Sequence, residues 1–229
     1  MYKGNKILLG ILAFIVVCVV GYALFSETIT VTGTATTQGS FDIVGTCQAG
    51  LNSEFIETVT YEFDSNYYET GYRTSNCSFN GDKGTLEVDF EYPGAKRYFT
   101  IKLTNNGTIP AIIGKASLEM DDICLDGNCQ NNNPGIITDK GFELINMFRN
   151  YYIVGVQIGN GPIIPYINIT EEQASEFIDI NDNRVLKPGN SIFYAVRTEV
   201  DERLGNPNGG SFEALATGTI SFPFTQITE

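Results

Sequence analysis

Five cysteines carry the most definite chemistry in this chain: Cys18, Cys47, Cys77, Cys124 and Cys129. Cys18 lies inside an apolar leader, so four remain in the exported part. An even number in an exported chain reads as disulfides, and four thiols allow three connectivities. Cys124 and Cys129 are close in sequence and suit one small loop, which leaves Cys47 with Cys77. A zinc cluster is the rival. The chain has no histidine, and neither a C-x4-C pair nor the long gaps match four-cysteine zinc spacing.

The lack of histidine also removes the familiar serine and cysteine triads and imidazole metal sites. No G-x-S-x-G, phosphate loop or dinucleotide fingerprint occurs. The acidic residues mostly alternate along strands, as a solvated sheet face requires; a glycosidase carboxylate pair is assembled only by the fold. The expectation is no enzyme activity and no small-molecule substrate. Asp179-Ile180-Asn181-Asp182-Asn183 matches the first three ligand positions of a calcium loop. It then puts Arg184 where the loop needs glycine and Asn190 where it needs a bidentate glutamate. Asp121, Asp122, Asp126 and Asn128 form a second oxygen-rich patch, also off-motif. No metal or cofactor is expected within a subunit, and calcium is left as a ligand of subunit contacts where two such loops meet. Three N-x-S/T sequons, at Asn76, Asn106 and Asn168, fall at expected turns or strand ends where a glycan fits.

The elements that position these residues begin with the leader. Residues 7–25 are uncharged and follow Lys3 and Lys6, with Gly21-Tyr22-Ala23 offering small residues at a peptidase site. Residues 1–23 read as a signal peptide cleaved after Ala23. The rivals are an uncleaved membrane anchor and a pilin-type leader cut near Lys3 and Gly4. The full chain has 14 basic and 27 acidic residues, a net charge of −13; losing Lys3 and Lys6 leaves 12 basic ones and −15. Such a surface repels nucleic acid and anionic membranes. The expected location is extracellular or at the cell surface, with the membrane met only during export.

Residues 24–38 follow as an arm. Thr28, Thr30, Thr32, Thr34 and Thr36 alternate with Ile29, Val31, Gly33 and Ala35, which makes a strand with one hydroxyl edge and one apolar edge. An apolar-faced strand at a free end must be covered. It either folds into its own sheet or fills a groove in a neighbouring copy.

From residue 39 to 229 the pattern is β throughout. Strands are expected at 41–47, 53–63, 84–92, 98–103, 111–120, 151–158, 163–169, 191–200 and 212–224, the last with Pro223 suiting an edge. Leu86, Val88, Phe90 and Tyr92 should point inward, and Phe99, Ile101 and Leu103 should answer them across a hairpin turned at Pro93-Gly94. Residues 121–135 read as a surface excursion. Residues 141–149 carry helical spacing, and Thr170 with Gln173 forms a capping box opening a second short helix. About nine to eleven strands at sandwich spacing, with no linker, give one all-β domain: a single antiparallel β-sandwich with two short helical insertions behind a leader helix.

Several short motifs then resemble the TasA/camelysin family of secreted fibre proteins, with the related archaeal bundling pili and cannula proteins. They are Ala23, Phe25 and Ser26 at the leader junction, Gly33-Thr34-Ala35, and Gly39-Ser40-Phe41-Asp42-Ile43. Leu103-Thr104-Asn105-Asn106-Gly107 is similar to the family's ENNG turn, Leu186-Lys187-Pro188-Gly189 to its LKPG turn, and residues 218–224 to its closing strand. The resemblance implies a jelly-roll sandwich whose N-terminal strand is donated to the next subunit, giving a head-to-tail homopolymer. Ile29, Val31, Gly33 and Ala35 would then be the groove-filling residues. The other reading is a monomeric, membrane-anchored surface domain for binding or adhesion.

Overall fold

The computed structural model describes residues 39–125, 128–131, 148–177, 184–202 and 212–226. The chain divides into two units, 1–38 and 39–229. The first lies outside the described residues, so the leader and the arm expectations fall there; the second is described by itself.

Thirteen strands are described in this unit, in three antiparallel sheets. In chain order they are β1 Ile43–Ala49, β2 Tyr72–Asn80, β3 Lys83–Phe90, β4 Lys96–Asn105, β5 Ala111–Ile113, β6 Ser117–Leu125 and β7 Asn128–Asn131. Then come β8 Phe148–Gln157, β9 Ile163–Pro165, β10 Arg184–Leu186, β11 Ser191–Glu199, β12 Ala214–Ser221 and β13 Phe224–Gln226. One sheet runs β1-β4-β11-β8-β9 and the facing one β2-β3-β12-β6-β7, with a small third sheet β10-β5-β13. The main core lies between the two large sheets. Leu86, Val88, Phe90, Ala214 and Ala216 meet Phe99, Ile101, Leu103, Ile192 and Val196, all fully or almost fully buried. The expected all-β sandwich is what the chain forms.

The expected hairpin between residues 84–92 and 98–103 is not. β3 pairs with β2 and β12, whereas β4 pairs with β1 and β11, so the Pro93-Gly94 turn carries the chain from one sheet to the other. Phe90 ends its strand and Tyr92, expected inside, is exposed. The single strand expected at 111–120 is two, β5 and β6, in different sheets. β6 continues into the expected excursion and pairs there with β7. Likewise 212–224 divides before Pro223: β12 sits centrally between β3 and β6, and only β13 is an edge.

The largest departure is at 53–63, expected as a strand. Asn52 instead caps a 3-10 turn, Ser53–Phe55, by accepting the Glu54 N–H at 3.1 Å, and the helix Ile56–Glu62 follows. Phe55 and Val59, four residues apart and so on one helical face, bury against Tyr98, Val154, Phe193 and Ala195 on the outer face of the first sheet. That burial, worth about 1.5–3 kcal/mol for each large apolar side chain, outweighs the β preference of Thr58, Val59, Thr60 and Tyr61. β4 and β11 are consequently buried on both faces. The expected capping box is present, with Thr170 and Gln173 bonded reciprocally at the start of the helix Glu171–Ala174. The other expected helix, 141–149, lies outside the described residues up to 147, and β8 starts at Phe148.

Candidate assembly site

At one margin of the sandwich, β1 and β2 are the outer strands of opposite sheets. Packed sheets stand about 10 Å apart, yet the Cys47–Cys77 disulfide brings these two strands to a Cα–Cα separation of 5.8 Å. Gly45 makes the pinch possible: a Cβ there would lie 1.9 Å from Cε1 of Phe79, whose ring covers the bare backbone. The expected Cys47–Cys77 pair is therefore formed. Cys124 is also disulfide-bonded, and in the β6–β7 hairpin it stands directly opposite Cys129. Disulfides fit an oxidising, extracellular setting. Among the described residues no helix is long and apolar enough to cross a membrane.

The opposite margin is only partly closed. β8 is ten residues long, but β9 pairs only with Gly155, Val156 and Gln157. Beyond them, residues 148–154 have β11 on one side and, among the described residues, no strand on the other. In the facing sheet β7 pairs only with Asp122, Ile123, Cys124 and Leu125 of β6, so residues 117–121 are bare along their outer edge in the same sense. Tyr151 ties β8 to the residue just before β6 by donating its hydroxyl to the Ala116 carbonyl at 2.6 Å.

Two motifs that are far apart in sequence meet where the N-terminal segment joins β1. Asn105 is fully buried. Its amide donates to the Ile109 and Leu186 carbonyls, both at 2.8 Å, and its Oδ1 accepts the Gly107 N–H at 2.9 Å. Gly189 N–H donates to the Asn105 carbonyl at 2.7 Å, so the Asn105-Asn106-Gly107 and Lys187-Pro188-Gly189 turns are bonded together. On the other side, Asn106 and Gly107 N–H groups donate to the Asp42 carbonyl, and Thr108 N–H to that of Ser40. A Cβ on Gly107 would fall 2.3 Å from the Ser40 carbonyl. Ser40 and Asp42 are thus seated on the first of these turns, which the second braces from behind through Asn105.

Of the other sequence-derived positions, Asn106 and Asn168 are exposed in turns. Asn76 is exposed too, but it stands in the middle of β2 and not at a strand end, with its amide donating to Glu87 Oε1 at 3.1 Å. Ile29, Val31, Gly33 and Ala35 lie outside the described residues, as do Asp126 and residues 179–183 of the expected calcium loop. Asp121, Asp122 and Asn128 fall on the β6–β7 hairpin. Among the described residues, no three acidic or cysteine side chains are grouped to hold a metal.

A buried ionic cluster was not expected from the sequence. Lys96 and Tyr98 on β4 lie opposite Glu199 and Arg197 on β11, and Asp64, in the loop after the helix, drops onto them. Asp64 Oδ2 accepts from Lys96 Nζ at 3.1 Å, from Arg197 at 3.3 Å and from the Tyr98 hydroxyl. Lys96 Nζ is also 3.9 Å from Glu199 and stacks over the Tyr68 ring at 4.2 Å. Burial alone pushes the Asp64 carboxyl up; the Tyr98 hydroxyl, Lys96 and Arg197 outweigh it and hold the group below its usual range. Beside it, Arg97 bonds Glu69, in the segment after Asp64, and Tyr72, the first residue of β2. The signal was charge gathered at the paired ends of β4 and β11, Lys96 and Arg97 with Arg197 and Glu199, which reads equally well as a solvated face.

No protein-family model matches the chain, and no curated protein matches it. Among solved structures, it is similar to a family 123 glycoside hydrolase from Clostridium perfringens, described for glycolipid glycan hydrolysis. Identity is 11% and the TM-score 0.28, over 80% of this chain and 25% of the hydrolase. The chain thus spans about a quarter of that protein's length. The sequence-based exclusion of enzyme activity is corrected on this point, because the structural match is to a hydrolase. A likeness of that size equally carries no argument that this chain hydrolyses anything.

Proposed function

We propose that the chain is the subunit of an extracellular filament, polymerising head-to-tail as the N-terminal strand of one copy completes the jelly-roll sandwich of the next. The observation that carries this reading is the half-covered margin: residues 148–154 of β8 have an unoccupied outer edge among the described residues. A bare edge is a template for an added strand, with main-chain bonds supplying affinity and alternate side chains supplying specificity. The arm has the matching character, because Ile29, Val31 and Ala35 alternate with threonines and Gly33 admits close backbone approach. Bonding of Ser40 and Asp42 to the turn at 106–108 supports it further, since it ties the first described residues to the sandwich. A head-to-tail contact of this kind does not close on itself and grows as a fibre. Deleting residues 25–36 is the test. The expected product is a folded subunit, β-rich by circular dichroism, that forms no filaments in negative-stain micrographs. Filaments of ordinary appearance from the truncated chain would overturn the proposal.

A further inference from the structure

We propose that Lys96 and Asp64 become joined by an amide bond between their side chains, a covalent cross-link made by the fold itself. The two groups are held in contact, 3.1 Å from Nζ to Oδ2, and both side chains are 7% exposed. Fixing two reactants at this range replaces a bimolecular encounter by an intramolecular one, with effective concentrations on the order of 10⁵ M or more. The groups around the pair have the roles such a condensation needs. The Tyr98 hydroxyl and the Arg197 guanidinium both point at Oδ2, where negative charge gathers as nitrogen adds to Cγ. The Asn66 N–H donates to Oδ1 at 3.2 Å and fixes the plane of the carboxyl. Glu199, 3.9 Å from Nζ and 3.6 Å from Arg197, takes a proton from the amine and returns it to the departing oxygen.

The step balances without any other reagent. Within the pair the ammonium first passes one proton to the Asp64 carboxylate, leaving a neutral amine and a neutral acid. Nζ then adds to Cγ, Glu199 carries a second lysine proton to the departing hydroxyl, the Cγ–O bond breaks, and a secondary amide and one water result. The ion pair is the encounter state. Condensation relieves it of a cost, because two buried charges are replaced by a neutral amide, while Arg197 keeps Glu199 as its partner. Lys187 and Glu176 are an internal control. They approach to 2.9 Å but are 45% and 32% exposed, so water competes for both groups and no amide is expected there.

The full chain is purified, denatured, reduced, digested and mapped by mass spectrometry. The expected result is a branched peptide joining Asp64 to Lys96, lighter by one water than its two linear parts, with Lys187 and Glu176 only in linear peptides. Asp64→Asn should give the same branched product by loss of ammonia instead of water. Glu199→Gln should leave the linear form in excess, and Lys96→Arg should remove the branch. Linear peptides alone from folded wild-type protein, or a cross-link at Lys187 as well, would overturn the proposal.

Discussion

Replacing Asn105 by alanine should destabilise the sandwich far more than the same change at Asn106. The two residues are neighbours in one turn with the same side chain, so composition and propensity cancel. Asn105 is fully buried and makes three side-chain bonds, to the carbonyls of Ile109 and Leu186 and from the N–H of Gly107. Alanine would leave all three backbone groups without that partner, and each buried orphan costs about 1–3 kcal/mol. Some admit water, so the expected loss is about 4 kcal/mol. Asn106 is exposed and offers only its N–H to Asp42, which alanine keeps, so its change should stay within about 0.5 kcal/mol. Asn105→Asp separates the terms: it retains the acceptor for Gly107 but aims carboxylate oxygen at two carbonyls, and should be no better than alanine. The assay is urea unfolding at low protein concentration, followed by far-ultraviolet circular dichroism since the chain has no tryptophan. At a slope of about 2 kcal/mol/M the midpoint should fall by about 2 M for Asn105→Ala. Equal midpoints for the two alanine variants would refute the view that Asn105 fastens the turn on which Ser40 and Asp42 sit.

Three further outcomes follow from the same geometry. Gly45→Val should cost about 2–3 kcal/mol because the new side chain meets the Phe79 ring; a double-mutant cycle with Phe79→Ala should show a coupling above about 1 kcal/mol, and additivity would count against the contact. Opening the Cys47–Cys77 bridge by a double serine change should cost about 3–4 kcal/mol, from the chain entropy of a loop with sequence separation 30, read as a lowered urea midpoint. Burial raises the Tyr194 and Tyr152 hydroxyls well above their usual value. Folded-state values above unfolded ones mean that their contribution is complete below pH about 10 and is lost as pH rises beyond it. Unfolding midpoints measured from pH about 8 to 12 should therefore fall steeply past 10, with these phenolates appearing at 295 nm only as the fold opens.

The strands that could be read from sequence are those that turn an unbroken row of large apolar residues to the main core. Leu86, Val88 and Phe90 were expected inside at period two, and all three are fully buried; so are Phe99, Ile101 and Leu103. What period cannot carry is the partner. A turn such as Pro93-Gly94 reverses the chain whether the next strand joins the same sheet or the opposite one, and here it crosses the core. The helix Ile56–Glu62 escaped for a related reason: its β-branched residues are poor helix formers locally, and only the aromatic and aliphatic outer face of β4, β8 and β11 makes the helical arrangement the better one. That outer face was itself hidden, since Lys96, Tyr98, Arg197 and Glu199 look like a wet surface until Asp64 is placed over them.

The candidate site divides along the same line between what one segment fixes and what several must build together. The Cys47–Cys77 bridge was within reach because eliminating one short loop leaves one pair, and pairing is a property of a few residues. Asn105 was found as a turn residue, yet its weight comes from Leu186, Ile109 and Gly107 closing on it, which no local pattern encodes. The partly covered margin is further still from the sequence, being defined by the seven residues of β8 that β9 stops short of covering. An alternating arm announces that it needs a partner; only the strand pairing of the described residues shows which edge is uncovered among them. If strand addition is how this subunit assembles, a charge on the outer edge of β8 should block fibres while leaving Cys47–Cys77 and the core intact, whereas one on the disulfide-pinched β1 margin should not.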